Sequence, residues 1–239
     1  MTKKIIIVGA TSGIGKEMAL LYLQQGHQVG ITGRRQQLLL EIQNSYPQQT
    51  FIESFDVRDT NVTLYLDKLN LAMNGFDILI YNAGVGHPSK ELDAAKEKET
   101  TLINVNGFVA IADYAFNYFR ERGYGQLVVI SSIAGLTGSS WAPAYSASKA
   151  FMSKYAQSLN MKAYALQANI KVTDIRPGFI NTKEADGYKR FWAATSLKAA
   201  NQIIRAIESK KRVAYITKRW WLIAMLLKVS PYWLYKRFL

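Results

Sequence analysis

The sequence predicts one α/β domain built on a doubly wound, parallel seven-stranded sheet. Three observations carry this. Short, near-continuous apolar runs alternate with longer segments of helical period, a glycine-rich turn joins the first run to the first periodic segment, and no repeat, low-complexity tract or Pro/Gly/Ser linker interrupts the 239 residues. Apolar strands separated by helices must be covered on both faces of the sheet. Right-handed crossovers then open a ligand cleft at the carboxyl ends of the strands.

The first strand is expected at 4–8. The preceding basic residues give it a superficial likeness to a secretion signal, but the apolar part is too short and runs into a glycine turn. That turn is Gly9-Ala-Thr11-Ser12-Gly13-Ile14-Gly15, and a helix over 14–25 follows it. Glycines here permit a tight bend and let backbone N–H groups approach a pyrophosphate, which the helix N-terminus also favours.

The second strand, 28–32, leads through Gly33 into Arg34 and Arg35 and a helix over 36–45. A site for NAD places an acid near this point to hold the ribose 2′-hydroxyl. No acid stands here. An arginine fork suits a 2′-phosphate, through charge-assisted paired bonds. NADP, used as NADPH, is therefore the expected cofactor, with Arg34 as the main contact and Arg35 stacking or assisting.

Further strands are expected at 50–55, 77–81, 125–131, 170–175 and 213–216. Helices are expected at 60–72, over an interrupted stretch 93–122, and at 143–167 and 196–209. The helix from Pro143 carries Tyr145 and Lys149. Four residues apart, they share one helix face. A phenol is a poor acid at neutral pH, and a neighbouring ammonium stabilises its phenolate and lowers its pKa. A tyrosine tuned in this way can exchange a proton with a substrate oxygen.

Composition is globular, with 49% apolar and 20% charged residues. The absence of cysteine removes disulfides and thiolate chemistry, and the two histidines suggest no metal site. The net charge of +13 is uneven: residues 183–239 hold thirteen Lys/Arg against three Asp/Glu. Within that region, 218–239 reads as a basic-aromatic helical extension beyond a domain at 1–217, with Trp and Tyr interleaved among Lys and Arg. Its longest apolar run, 220–227, is too short to span a bilayer. The composition suits an interfacial foot, and equally an extension packed on its own domain or on a sister subunit. No nucleic-acid recognition motif accompanies the charge.

Taken in order, these motifs resemble the short-chain dehydrogenase/reductase family over roughly residues 3–216. Gly9-x-x-x-Gly13-x-Gly15 matches its cofactor turn, and Asp56-Val57 its adenine contact. Asn82-Ala83-Gly84 follows the fourth strand, and Asn104-Val-Asn-Gly107 gives the Asn-x-x-Gly pattern. Ser132 stands thirteen residues before Tyr145, and Pro177-Gly178, Ile180 and Thr182 match the segment that holds the nicotinamide carboxamide. Family spacing favours Ser132 over Ser131, and Gly107 favours Asn104 over Asn106. Val8 replaces a threonine common before the first glycine.

The resemblance implies a Rossmann fold and hydride transfer between NADPH and a carbonyl or alcohol, as in a carbonyl reductase. Ser132 would orient the oxygen and Tyr145 would donate the proton. Lys149 would hold the nicotinamide ribose, and Asn104 would keep a water for proton resupply. It further implies a homodimer or homotetramer through the helix bearing Tyr145. Substrate choice falls to loops 85–89, 133–142 and 183–195, the last an expected lid with Phe191 and Trp192. Its aromatics fit a hydrophobic substrate and, equally, ordinary helix packing. The expected setting is the cytoplasm, with 218–239 able to rest on the inner face of a membrane. The competing reading is a catalytically silent nucleotide-binding or membrane-surface protein on the same fold.

Overall fold

The computed structural model describes residues 2–181 and 192–231. Thr182, most of the expected lid and 232–239 lie outside the described residues. The main sheet contains β1 (Lys4–Val8), β2 (Gln28–Gly33), β3 (Thr50–Ser54), β4 (Ile78–Tyr81), β5 (Tyr124–Ile130), β6 (Asn169–Pro177) and β9 (Val213–Ile216). The strand order is β3-β2-β1-β4-β5-β6-β9, and every pairing is parallel. The order reverses between β1 and β4, so a crevice opens where Val8 pairs with both Thr32 and Tyr81.

Helices cover both faces. α1 (Gly13–Gln24), α2 (Gln36–Ser45) and α7 (Ser196–Glu208) lie on one side, and α3 (Val62–Ala72), α5 (Phe108–Arg122) and α6 (Pro143–Ala165) on the other. Alternate residues of β1 divide between the two layers: Ile5 and Ile7 pack with Met18, Leu23 and Ile203, whereas Ile6 and Val8 pack with Leu66, Phe116 and Met152. The unbroken apolar run Ile5–Val8 is thus explained by burial on both sides.

The interrupted stretch before β5 resolves into α4 (Ala94–Thr101), a π-helical turn (Leu102–Gly107) and α5. Asp93 starts α4 by accepting from the Ala95 and Lys96 N–H groups, and Gly123, at φ 88°, closes α5. Pro143 sits in the first turn of α6, where its missing N–H costs nothing. A two-strand ladder of β7 (Ile180–Asn181) and β8 (Ala194–Thr195) was not expected, being too short for a periodic signal. The extension forms α8 (Trp220–Val229).

Candidate active site

The glycine turn is shaped by close backbone approach. Gly9 has φ +87°, and a Cβ there would lie 2.8 Å from the Ala83 backbone. The Asn82 side chain donates to the Gly9 carbonyl at 2.7 Å, and the Asn82 and Ala83 N–H groups both donate to the Val8 carbonyl. The turn after β1 and the loop after β4 are therefore held together, with the N-terminus of α1 facing the crevice. Arg35 lies across the turn, donating to Thr11 Oγ1 at 2.7 Å and to Ser12 Oγ at 2.8 Å. Backbone amides, two hydroxyls and a guanidinium make this cradle fit a phosphate-bearing dinucleotide. Gly13, Ile14 and Gly15 form the first turn of α1 beneath it.

Arg34 leans instead toward Asp56, at 3.8 Å. Arg58 forks the Asp56 carboxylate, from Nε at 3.0 Å and from a terminal nitrogen at 2.7 Å, and this bonding holds the carboxyl below its usual range. Val57 follows on the same rim. Arg58 also reaches Glu99, at 3.5 Å, and Glu99 meets His87 Nε2 at 3.0 Å.

At the carboxyl ends of β4 and β5 the structure brings Asn104, Tyr145 and Lys149 together. Asn104 is fully buried in the π-helical turn, whereas Asn106 is exposed. Its Oδ1 accepts from the Val85 N–H at 2.9 Å, and its Nδ2 donates to the Val85 carbonyl at 2.8 Å and to Ser148 Oγ at 2.9 Å. Ser148 in turn donates to the Tyr145 carbonyl at 2.8 Å. A π-helical turn re-aims side chains relative to an α-helix, and such turns recur at functional sites. Lys149 is buried, donates to the Ile130 carbonyl at 3.0 Å, and places its ammonium 5.7 Å from the centre of the Tyr145 ring. Burial lowers its pKa to about 8, and the Asp174 carboxylate opposes that shift.

Ser131 and Ser132 diverge, as neighbours at the end of a strand do. Ser131 turns to β6 and donates to Asp174 and to the Ile175 carbonyl. Ser132 Oγ accepts from the Ala134 N–H at 3.1 Å and lies 3.4 Å from the Pro177 carbonyl, at the start of the loop that leaves β5. Pro177, Gly178 and Ile180 run along the same edge, and Gly84 lies beside Lys149 and Asn104.

Several residues of the site gave no signal of their own. Glu97 on α4 accepts from the Ala144 N–H at 2.8 Å and so holds the first turn of the Tyr145 helix. Gly86 lies against the Tyr145 ring, and Ser148 joins Asn104 to α6. Only Ser148 could have been singled out, being adjacent to Lys149 on the same helix.

The family model for short chain dehydrogenase matches residues 3–191. The NADP-dependent 3-hydroxy acid dehydrogenase of Escherichia coli K12 is 32% identical over 186 residues, 75% of this chain and 73% of that protein. An uncharacterized oxidoreductase of Mycobacterium tuberculosis is 32% identical over 241 residues, 95% of this chain and 92% of that protein. A serine dehydrogenase solved in its closed form with NADP+ superposes with a TM-score of 0.81 at 25% identity, covering 89% of this chain and 94% of that one. The match runs from the first strand past the Pro177-Gly178 segment, and on that extent the chain belongs to the short-chain dehydrogenase family.

Proposed function

We propose that this protein is an NADP-dependent oxidoreductase that interconverts a hydrophobic carbonyl compound and its alcohol, with Tyr145 as the proton donor and acceptor. The observation that carries the reading is the buried Lys149 ammonium beside the Tyr145 ring, in a pocket wall that Asn104 fixes through Val85 and Ser148. A cation at that distance stabilises a phenolate in a low-dielectric setting.

The residues that would hold the cofactor are the Gly9–Gly15 turn, Arg34 and Arg35, Asp56 and Val57, Asn82 to Gly84, and Pro177, Gly178, Ile180 and Thr182. The bound cofactor supplies a hydride for the carbonyl carbon. Ser132 fixes the direction of the substrate oxygen. Tyr145 gives that oxygen a proton as its negative charge develops, and takes one back in the oxidative direction. Lys149 holds the phenolate state accessible and binds ribose hydroxyls. Asn104 shapes the path by which Lys149 recovers protons from solvent. The NADP-dependent relative named above is a 3-hydroxy acid dehydrogenase and the structural relative a serine dehydrogenase, and both names point to an oxidisable hydroxyl.

Assembly as a homodimer or homotetramer is part of the proposal. Phe151, Met161 and Tyr164 of α6 are exposed, and Phe151 stacks on Tyr155 beside a groove between α5 and α6. The proposed setting is the cytoplasm.

The test is NADPH oxidation over long-chain ketones, ketosteroids and 3-oxo acids, with wild type and Tyr145→Phe. The variant should lose about 10²–10⁴-fold in kcat and keep its affinity for NADPH. Full turnover in Tyr145→Phe would falsify the assignment. NADPH binding without turnover of any carbonyl would favour the silent nucleotide-binding reading.

A further inference from the structure

Helix α8 packs one apolar face on the domain and exposes another. On the inner face, Trp220 and Ala224 are buried with Ile133, the residue after Ser132. The Trp220 ring lies on Gly178, where any Cβ would overlap it. It also meets Phe179 edge-on, with centroids 5.3 Å apart, and Trp192 at 6.5 Å. Arg219 donates to the Trp192 carbonyl and lies 5.3 Å over its ring. The helix is thus packed against three segments that border the substrate side: the Ser132 loop, the Pro177-Gly178 segment, and the chain resuming at Trp192.

The outer face is apolar and, among the described residues, exposed. Trp221, Leu222, Leu226 and Val229 are 50%, 63%, 61% and 79% exposed. On a helix these four fall within an arc of roughly 140°. Lys218 stands exposed in the turn before the helix, Lys228 is exposed at the edge of that arc with its ammonium 5.8 Å from the Tyr215 ring, and residues 218–231 contain no Asp or Glu. Its ten residues extend about 15 Å, half the hydrocarbon thickness of a bilayer. No described helix is long and apolar enough to cross a membrane. A short helix with large exposed apolar residues and a lysine near each end can lie along a lipid interface, its apolar side chains among the acyl chains and its cations at the headgroups.

We infer that the outer face of α8 docks on an anionic lipid surface and thereby sets the opening of the substrate site against the bilayer. A hydrophobic carbonyl then reaches Ser132 and Tyr145 from the lipid phase. The second half rests on the reductase reading, and the docking itself does not. Charge decides between a bilayer and a second copy of this chain. Two copies meeting through this face would bring Lys218 and Lys228 of each together with no acid on the helix to answer them, whereas anionic headgroups do answer them.

The experiment is flotation of the full chain with phosphatidylcholine vesicles, with and without phosphatidylglycerol. Recovery should be several-fold higher on the anionic vesicles and fall as salt is added. The double substitution Leu222→Ser/Leu226→Ser should reduce bound protein about tenfold or more. It should leave NADPH turnover of a water-soluble ketone unchanged and reduce turnover of a vesicle-borne one. Equal recovery in the soluble fraction with both vesicle types overturns the proposal. So does unaltered flotation of the double variant. If that variant instead changes from oligomer to monomer by light scattering with vesicle recovery unaffected, the face belongs to a second copy. Flotation reads no catalysis, so failure to reduce any carbonyl would count against the reductase reading and leave the docking result standing.

Discussion

Asn104 and Ser148 are joined by a 2.9 Å hydrogen bond that ties the π-helical turn to the helix bearing Tyr145. The same amide clasps Val85 by both its N–H and its carbonyl. Replacing Asn104 by Ala leaves these buried groups unpaired, at about 1–3 kcal/mol for each one left unsatisfied. Asn104→Ala should therefore lower both the melting temperature and kcat. Ser148→Ala removes one link only and should have the smaller effect on each. Thermal unfolding and steady-state NADPH oxidation on the two variants check the ranking.

Lys149 should set up an opposition between stability and activity. Its folded pKa, about 8, lies below the ordinary 10.5, because burial disfavours the charge. Below about pH 8 both folded and unfolded chains hold the proton, and the cost of burying the charge is fully present. Between about pH 8 and 10.5 the unfolded chain binds a proton that the folded chain has released, so stability rises with pH. Above that window both forms are neutral and the cost is gone. Lys149→Met should be more stable than wild type by ~3 kcal/mol at pH 7, with the difference closing toward pH 10.5, and should lack turnover. Urea denaturation at both pH values reads the first effect; a variant less stable than wild type at pH 7 contradicts it.

The arginine pair separates into two roles. Arg35 rests on the Thr11 and Ser12 hydroxyls, while Arg34 faces Asp56. Arg35→Ala should raise KM for NADPH about tenfold to hundredfold, the value of one or two hydrogen bonds to a charged group, and leave KM for NADH nearly unchanged. Arg34→Ala measured beside it shows which side chain holds the 2′-phosphate. Equal KM values for the two cofactors in wild type would count against any phosphate contact.

Gly86 should be intolerant of a methyl group. A Cβ there would lie 2.6 Å from Cδ2 of the Tyr145 ring, so the phenol must move. Displacement of about 1 Å at a reacting group costs on the order of a hundredfold in rate. Gly86→Ala should lose kcat to that extent while NADPH still binds, which fluorescence titration of the cofactor would show.

The layered sheet was legible because β1, β4 and the end of β5 are apolar at successive positions, as double-sided burial demands. The glycine turn, Tyr145 and Lys149 were legible because their chemistry depends on spacing within one element. The π-helical turn was not, since a shift from i+4 to i+5 bonding leaves the apolar period almost unchanged. Nor was the Arg58 fork on Asp56, because Arg58 reads locally as a surface cation. The burial of Trp220 was equally hidden, because the sequence of α8 is apolar on nearly every side and only tertiary packing selects which tryptophan turns inward. Glu97 reaches Ala144 across 47 residues of sequence, a separation at which no local pattern carries information.

The central sheet keeps the Met18–Ile203 layer apart from the Phe116–Met152 layer. Substitutions in helices on opposite sides, such as Met18 and Phe116, are separated by the sheet, so their effects on unfolding free energy should simply sum. Drift in the packing beneath α1 and α7 therefore reaches the site chiefly through Ile130, whose side chain lies in that layer while its carbonyl holds Lys149, and the rest of the bed under the Tyr145 helix is left alone.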